Sequence, residues 1–251
     1  VWDTLRGDWG SYAEKYLKTV QLGEPAKPTP TPSVTPVPSK AGLCIATIGT
    51  PEQRALLDTI AWAEGTANKY NMMYGGSEFR SYSAHPVEIG EMPQGGFTAG
   101  GKIPSTAAGR YQFLYRLYKD LKEKGYFETG FNPKEQDKAA LHQASARGFT
   151  DALLTDAINT GEFTPLWDKL APEWASLPYS KPCPPNIIEK YVVKYGLDPS
   201  KCGNGRSYYG QGGKSYDGLK NTYLTCLDVH KSGGVPSPAA PVLFERCPDD
   251  M

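Results

Sequence analysis

The residue best placed to do chemistry is Glu64, which closes the run Leu56-Leu57-Asp58-Thr59-Ile60-Ala61-Trp62-Ala63-Glu64-Gly65-Thr66. Leu56, Leu57, Ile60 and Ala63 recur at the spacing of one helix face. Thr50-Pro51-Glu52-Gln53 just upstream reads as N-cap, N1 proline and capping-box glutamine, so a helix is expected from Pro51. Gly65 suits the residue after the helix, which puts Glu64 in the last turn. There the negative end of the helix dipole opposes a carboxylate, and Trp62 and Ala63 solvate it poorly. Both effects raise a carboxyl pKa, and a carboxyl kept protonated near neutrality is a general acid. The competing reading is an exposed glutamate at a fraying helix end; Asp58 and Glu78 are the alternative carboxylates nearest in the chain.

The bulk numbers exclude several classes of function. With 27 basic and 27 acidic residues the formal net charge is +0, so nothing in the balance calls for nucleic acid or an anionic membrane surface. The 16 Tyr, 5 Trp and 8 Phe, together with 27 Gly and 22 Pro, suit a surface of aromatic platforms and shaped loops such as carbohydrate binders use. Five cysteines without a C-x-x-C pair, and three histidines, do not make a zinc site, and no metal or other cofactor is expected. Scattered cysteines in a Pro/Thr-linked protein fit an oxidising, extracytoplasmic compartment.

At 251 residues the chain can hold one domain or two, and composition shifts decide where they divide. Residues 1–23 carry an aromatic stripe (Trp2, Leu5, Trp9, Tyr12, Tyr16, Leu17) at near-helical spacing. That stripe must be covered, by an upstream membrane anchor, a protein partner or the main domain. The chain opens on Val1 without an initiator Met and shows no apolar run near 18 residues, so the expectation is that either a signal or anchor segment has been removed or the sequence is a piece of a longer protein. Residues 24–40 are a Pro/Thr linker of extended habit, and the tail 232–251 is Pro-rich. Between them, residues 41–231 read as one mostly helical domain with a small β lobe. Lys69 to Pro104 is Gly-rich and aromatic, which suits short antiparallel strands and loops. The helical period returns in the run from Ser105 to Gly125, with Leu114, Leu117 or Tyr118, and Leu121 on one face. Asn132-Pro133-Lys134-Glu135, Thr150 and Thr164-Pro165 each open a further helix. Leu166, Trp167, Leu170 and Trp174 are expected in the core, and Leu219, Tyr223, Cys226 and His230 mark the inner face of a last helix.

Residues 181–206 are bounded by two cysteines and hold one amphipathic helix (Ile187, Ile188, Tyr191, Val192, Tyr195), which reads as an insertion. Cys183 and Cys202 would close a loop of about 20 residues, stabilising it by roughly 3 kcal/mol on the chain-entropy estimate, and are expected to pair. Cys226 with Cys247 is the expected second bridge, leaving Cys44 free or intermolecular.

The order of elements, a helix ending in one Glu, a β lobe, then a helix opening on a Gly/Gln motif, is that of lysozyme-like folds. The finer motifs go further: Ala61-Trp62-Ala63-Glu64-Gly65-Thr66, Tyr74-Gly75-Gly76, Tyr82-Ser83, His85-Pro86, Ser105-Thr106-Ala107-Ala108-Gly109-Arg110-Tyr111-Gln112, Phe131-Asn132-Pro133-Lys134-Glu135-Gln136-Asp137, Trp174-Ala175-Ser176-Leu177-Pro178 and Tyr209-Gly210-Gln211. Together, collinear from about Glu52 to Leu227, they resemble the lambda-type phage lysozymes, which are lytic transglycosylases of peptidoglycan.

The resemblance implies a two-lobed α+β lysozyme fold with the glycan strand in the cleft between lobes, a phage-associated or cell-wall-facing location, and Glu64 as the catalytic acid. It implies that Tyr82, Ser83, Ser105, Thr106, Arg110, Tyr111, Gln112, Tyr209 and Gln211 bind substrate or shape the cleft. Read from the residues alone, Arg110 is as well suited to tie the lobes together through a buried carboxylate, Tyr111 and Gln112 to the first turn of a helix, and His85 to a structural turn. The loop from Gly90 to Gly101 and the Cys183–Cys202 insertion depart from the family pattern and bear on substrate length and access. Two functions follow as expectations. One is an enzyme in which Glu64 alone serves as acid and base, with a hydrolytic muramidase as the variant that adds a second carboxylate. The other is a wall-binding module that keeps the cleft without turnover.

Overall fold

The computed structural model describes residues 40–98, 104–189, 198–210 and 213–233, all within one compact unit, Pro38–Met251. The expectations for residues 1–23, for the linker up to residue 39 and for the tail from residue 234 lie outside the described residues. After a 3-10 turn at Lys40–Leu43 come α1 (Pro51–Ala63), α2 (Tyr115–Glu123), α3 (Pro133–Ala146), α4 (Asp151–Thr160) and α5 (Thr164–Leu170). They are followed by β1 (Pro178–Tyr179), the short α6 (Pro185–Ile187), β2 (Arg206–Ser207) and α7 (Tyr216–Lys231). The architecture is α+β, mostly helical with a small β component.

The local signals explain the helix starts. Thr50 and Gln53 form a reciprocal capping box at α1, the Thr50 hydroxyl accepting from the Gln53 N–H at 3.3 Å and the Gln53 side chain accepting from the Thr50 N–H at 3.1 Å. Asn132, Thr150 and Ser215 cap α3, α4 and α7 in the same sense. The core follows the predicted faces: Leu56, Leu57 and Ile60 of α1, Leu166, Trp167 and Leu170 of α5, and Leu219, Tyr223 and Cys226 of α7 are all buried. Helices α1 and α7 pack along each other. Their close approach requires Gly218, because a Cβ there would lie 2.9 Å from the indole of Trp62.

The structure corrects three expectations. First, the segment 105–114 is not helical. Gly109 and Gln112 sit at φ +81° and +52°, and the chain forms antiparallel bridges at Phe97↔Ser105, Met73↔Ala108 and Ala108↔Phe113. Helix α2 therefore starts only at Tyr115, and Leu114, expected on its buried face, is 49% exposed. The cause is tertiary. At Gly109 the space a Cβ would occupy holds Phe131 and Gln136, so the chain presses backbone onto α3 there and a left-handed turn overrides the Ala-rich propensity.

Second, between Lys69 and Pro104 the described residues make isolated antiparallel bridges, such as Met72↔Glu78, and no continuous strand. The paired strands are instead β1 and β2, in the register Pro178↔Ser207 and Tyr179↔Arg206, and they clamp the neck of the insertion. Cys183 and Cys202 are joined just beyond that neck. Of the amphipathic helix expected there, only its first turn at Pro185–Ile187 and residues 188 and 189 are described; Tyr191, Val192 and Tyr195 lie outside the described residues.

Third, Cys226 bonds to Cys44 across a separation of 182 residues, and neither expectation for those two cysteines holds. Cys226 faces inward from α7 and is fully buried, where it meets the equally buried Cys44 beside α1; Cys247 lies outside the described residues. Closing so long a loop is worth about 5 kcal/mol on the chain-entropy estimate. The two sulfurs lie within 4.8 Å of an Asp58 carboxylate oxygen, but sulfurs joined to each other are not a metal-ligand pair.

Candidate active site

Glu64 caps α1, its N–H donating to Ile60 O at 2.9 Å, and Gly65 at φ +74° turns the chain away at once. The next residue, Thr66, is buried and its hydroxyl donates to Arg110 O at 2.5 Å, which ties the Glu64 turn to the segment 109–112. The Glu64 carboxyl is half-buried and accepts from the Ser176 hydroxyl at 2.5 Å and from the Ser176 N–H at 3.4 Å. The Lys214 N–H in turn donates to Ser176 O at 3.0 Å, so the end of α1, the loop 174–177 and the residues leading into α7 meet at the carboxyl. Burial raises the Glu64 pKa, opposed by the Ser176 bonds and the Lys214 charge. The net upward direction keeps a proton on Glu64 to higher pH than an exposed glutamate would hold it, as a general acid requires.

Behind this turn lies a buried polar network. Arg110 is fully buried and donates to Asp58 at 2.6 Å, to Leu43 O at 2.9 Å and to Ala67 O at 2.8 Å. Asp58 also accepts the Ala46 N–H at 2.9 Å and lies 2.6 Å from His230 Nε2. The hydroxyls of Tyr70 and Tyr111 donate to Asp137 at 2.7 and 2.6 Å, and burial pushes both phenols up, so they remain protonated donors. Gln136 locks the segment from the other side, accepting the Arg110 N–H at 2.8 Å and donating to Phe131 O at 2.7 Å.

Of the two readings of Arg110, the structure has the one in which it pairs with a buried carboxylate, and Tyr111 is buried beside it rather than set on a surface for substrate. Their side chains have no surface to offer, because the charge of Arg110 and the hydroxyl of Tyr111 are committed to buried carboxylates; they hold the site from behind. Gln112 stays half-buried at the end of that segment, with its amide donating to Gly109 O at 2.9 Å. Tyr111 O accepts from the Trp174 indole at 3.2 Å, which links the segment to the loop carrying Ser176.

The remaining expected residues are placed as follows. Tyr82 is half-buried, edge-on to Phe79, and its carbonyl accepts the Phe131 N–H at 2.7 Å. Ser83 is exposed, 2.9 Å from the Ser81 hydroxyl. The Ser105 hydroxyl accepts the Ala107 N–H at 3.2 Å, and Thr106 accepts the Tyr115 N–H at 3.0 Å, supplying the cap that Leu114 cannot give to α2. Tyr209 donates to Pro172 O at 2.7 Å, and Gln211 lies outside the described residues.

Asp58 is consumed by the buried network, and Glu78 is exposed, bonded to Lys69 and Asn71. His85 is a turn residue: its Nε2 faces Phe113 O at 3.1 Å, its Nδ1 accepts the Val87 N–H, and burial lowers its pKa to about 4. Sequence reasoning gave no role to Ser176 or Lys214. Ser176 stood inside the Trp174–Pro178 motif, but nothing local to it points at a carboxyl 112 residues away.

A helix-end carboxyl acid, backed by a buried ion network and set in a mostly helical body with a small β lobe, defines a lysozyme-like α+β protein. The chain belongs to the Endolysin family, whose sequence profile matches residues 54–190, more than half of its length. It is similar to the endolysin of Escherichia phage lambda, with 36% identity over 135 residues that cover 51% of this chain and 77% of that protein. Two solved structures also align. Bacteriophage lambda lysozyme complexed with a chitohexasaccharide is 28% identical, with 72% of this chain and 96% of that chain covered and a TM-score of 0.49. Lysozyme from bacteriophage lambda is 26% identical, with 75% and 97% covered and a TM-score of 0.44. Family membership makes the chain a cell-wall lytic enzyme that cleaves peptidoglycan. Among the described residues no helix is long and apolar enough to cross a membrane.

Proposed function

We propose that this chain cleaves the β-1,4 bond between N-acetylmuramic acid and N-acetylglucosamine as a lytic transglycosylase, with Glu64 as the only catalytic carboxyl. The protonated acid gives its proton to the glycosidic oxygen as the C1–O bond breaks. The sugar's own C6 hydroxyl then bonds to C1, and its proton returns to Glu64, leaving a 1,6-anhydro end. The observation that carries this reading is the contrast among carboxyls. Glu64 is half-buried with its pKa raised, whereas Asp58 is spent in the core and Glu78 is held by Lys69, so neither is poised to activate water. A glycan strand lying past Tyr82, Gln112 and Tyr209, the residues expected to line the cleft, is the substrate this reading requires.

Mass spectrometry of fragments released from purified walls tests it. Anhydro ends lack one water relative to hydrolysed ends and have no reducing terminus. Ordinary reducing ends would instead make the protein a hydrolytic muramidase with a second carboxylate. The absence of any released fragment, with binding retained, would make it a wall-binding module.

A further inference from the structure

Lys214 precedes the N-cap of α7 and is anchored twice beside the acid. Its backbone N–H donates to the carbonyl of Ser176, the residue whose hydroxyl holds Glu64, and its ammonium lies 5.1 Å from the centre of the Trp62 ring. Trp62 is itself fixed two residues before Glu64, where its indole edge fits against Gly218 in the first turn of α7 with no room for a Cβ. A half-buried lysine with both its main chain and its head group constrained is a fixed charge rather than a solvated tether. It also stands where the helix dipole of α1 and the apolar surroundings both disfavour a carboxylate.

We propose that Lys214 is a positioning residue for the reaction, the fixed counter-charge that stabilises the Glu64 carboxylate formed when the acid gives up its proton to the departing glycosidic oxygen. The inference rests on the single-carboxyl reading above. Burial alone makes Glu64 a poor proton donor, and one group that must both release and recover a proton works best when neither state is strongly disfavoured. Among the described residues, the groups acting on Glu64 are Ser176, from the loop 174–177, and Lys214, from the start of α7; both favour the charged form. Lys214 is not in contact with the proton that moves; it acts through the carboxyl.

The test is the pH profile of kcat/KM on purified glycan strands for the wild type, Lys214→Gln and Lys214→Arg, with thermal unfolding as the control for folding. Removing the cation raises the Glu64 pKa, so the acid stays protonated to higher pH and the alkaline limb moves up. Proton release becomes harder, so plateau kcat falls about twofold to threefold. Lys214→Arg keeps the charge over Trp62 and restores both. If Lys214→Gln does not fold, Lys214→Met, which keeps the alkyl stem on the indole, takes its place. An alkaline limb that coincides with wild type in the neutral variant, or that moves as far in Lys214→Arg, overturns the proposal. The ends of the fragments separate this from the reading beneath it. Reducing ends with a displaced limb would overturn the transglycosylase route and leave Lys214 its role; anhydro ends with an unmoved limb would do the reverse.

Discussion

Asp58 and Glu64 stand six residues apart on α1, and the chain treats them in opposite ways. Asp58, fully buried, has Arg110 on one oxygen together with the Ile45 and Ala46 N–H groups, and His230 on the other. Glu64, half-buried, has the Ser176 hydroxyl and N–H on one oxygen and a lysine held nearby over Trp62. A carboxylate supplied with several donors and a guanidinium is committed to holding the fold together. One supplied with little more than a hydroxyl, at the wrong end of a helix dipole, remains able to hold and release a proton. The proposed chemistry lies where partners are fewer, at the cap that ends α1, and the middle of the same helix carries the structural outcome.

Breaking the fully partnered carboxyl should have the largest effect. Arg110→Met leaves Asp58 buried without the guanidinium that pairs with it, and loss of one partner from a buried pair costs about 3–5 kcal/mol. Denaturant unfolding should show a loss of that size; a change near zero would mean the network is not a stabilising unit. Breaking the sparsely partnered carboxyl should do the reverse. Glu64→Gln keeps size and shape but loses the titrating proton, so kcat on purified walls should fall at least about 10²-fold. Its unfolding midpoint should stay near wild type and glycan binding should survive; a variant that keeps a tenth or more of its rate would remove Glu64 from the mechanism.

His85 sharpens the same contrast, since it is buried and neutral rather than buried and charged. Its folded pKa of about 4 lies below the usual histidine value, so the folded state favours the neutral ring. The stability this brings is fully present above about pH 6.5 and is lost as pH falls towards 4, up to about 3 kcal/mol in all. His85→Gln, which cannot gain a proton, should flatten the pH dependence of Tm between those limits. If the wild-type curve is already flat there, His85 titrates normally and the turn is open to water.

The parts legible in the sequence were those whose causes are local. The start of α1 and its end at Glu64 rest on Thr50, Pro51, Gln53 and Gly65, all within a turn of what they fix, and Asn132 and Thr150 mark their helices in the same way. What the sequence hid was decided by contacts across the fold. The segment 105–114 carries a helical pattern, yet Gly109 must press against Phe131 and Gln136, and the helix is postponed to Tyr115. Cys44 and Cys226 are separated by 182 residues, so only the packing of α7 on α1 could pair them. Arg110 and Tyr111 lie inside the motif expected to bind substrate; a buried carboxylate was one of two readings open for Arg110, and nothing in the spacing chose between them or turned Tyr111 inward. Ser176 and Lys214 approach Glu64 from the far half of the chain, so the candidate carboxyl was visible and its setting was not.

A smaller effect is expected at Ser176. Its hydroxyl donates to Glu64 at 2.5 Å and favours the charged carboxylate, so Ser176→Ala should raise the Glu64 pKa and carry the alkaline limb of activity upward. A hydrogen bond to a partly exposed charged group contributes about 1 kcal/mol, or roughly fivefold, and the backbone N–H of the same residue remains as a second, longer donor. The change in kcat should therefore be a few-fold, far below that of Glu64→Gln, and unfolding should be almost unaffected because the hydroxyl sits at the edge of the core. Ser176→Thr keeps the hydroxyl and should hold the limb in place. The measurement is the pH profile of both variants beside wild type. If alanine leaves the limb where it was, the short contact does not govern the proton, and the difference between Asp58 and Glu64 must rest on burial, the helix dipole and the charge of Lys214.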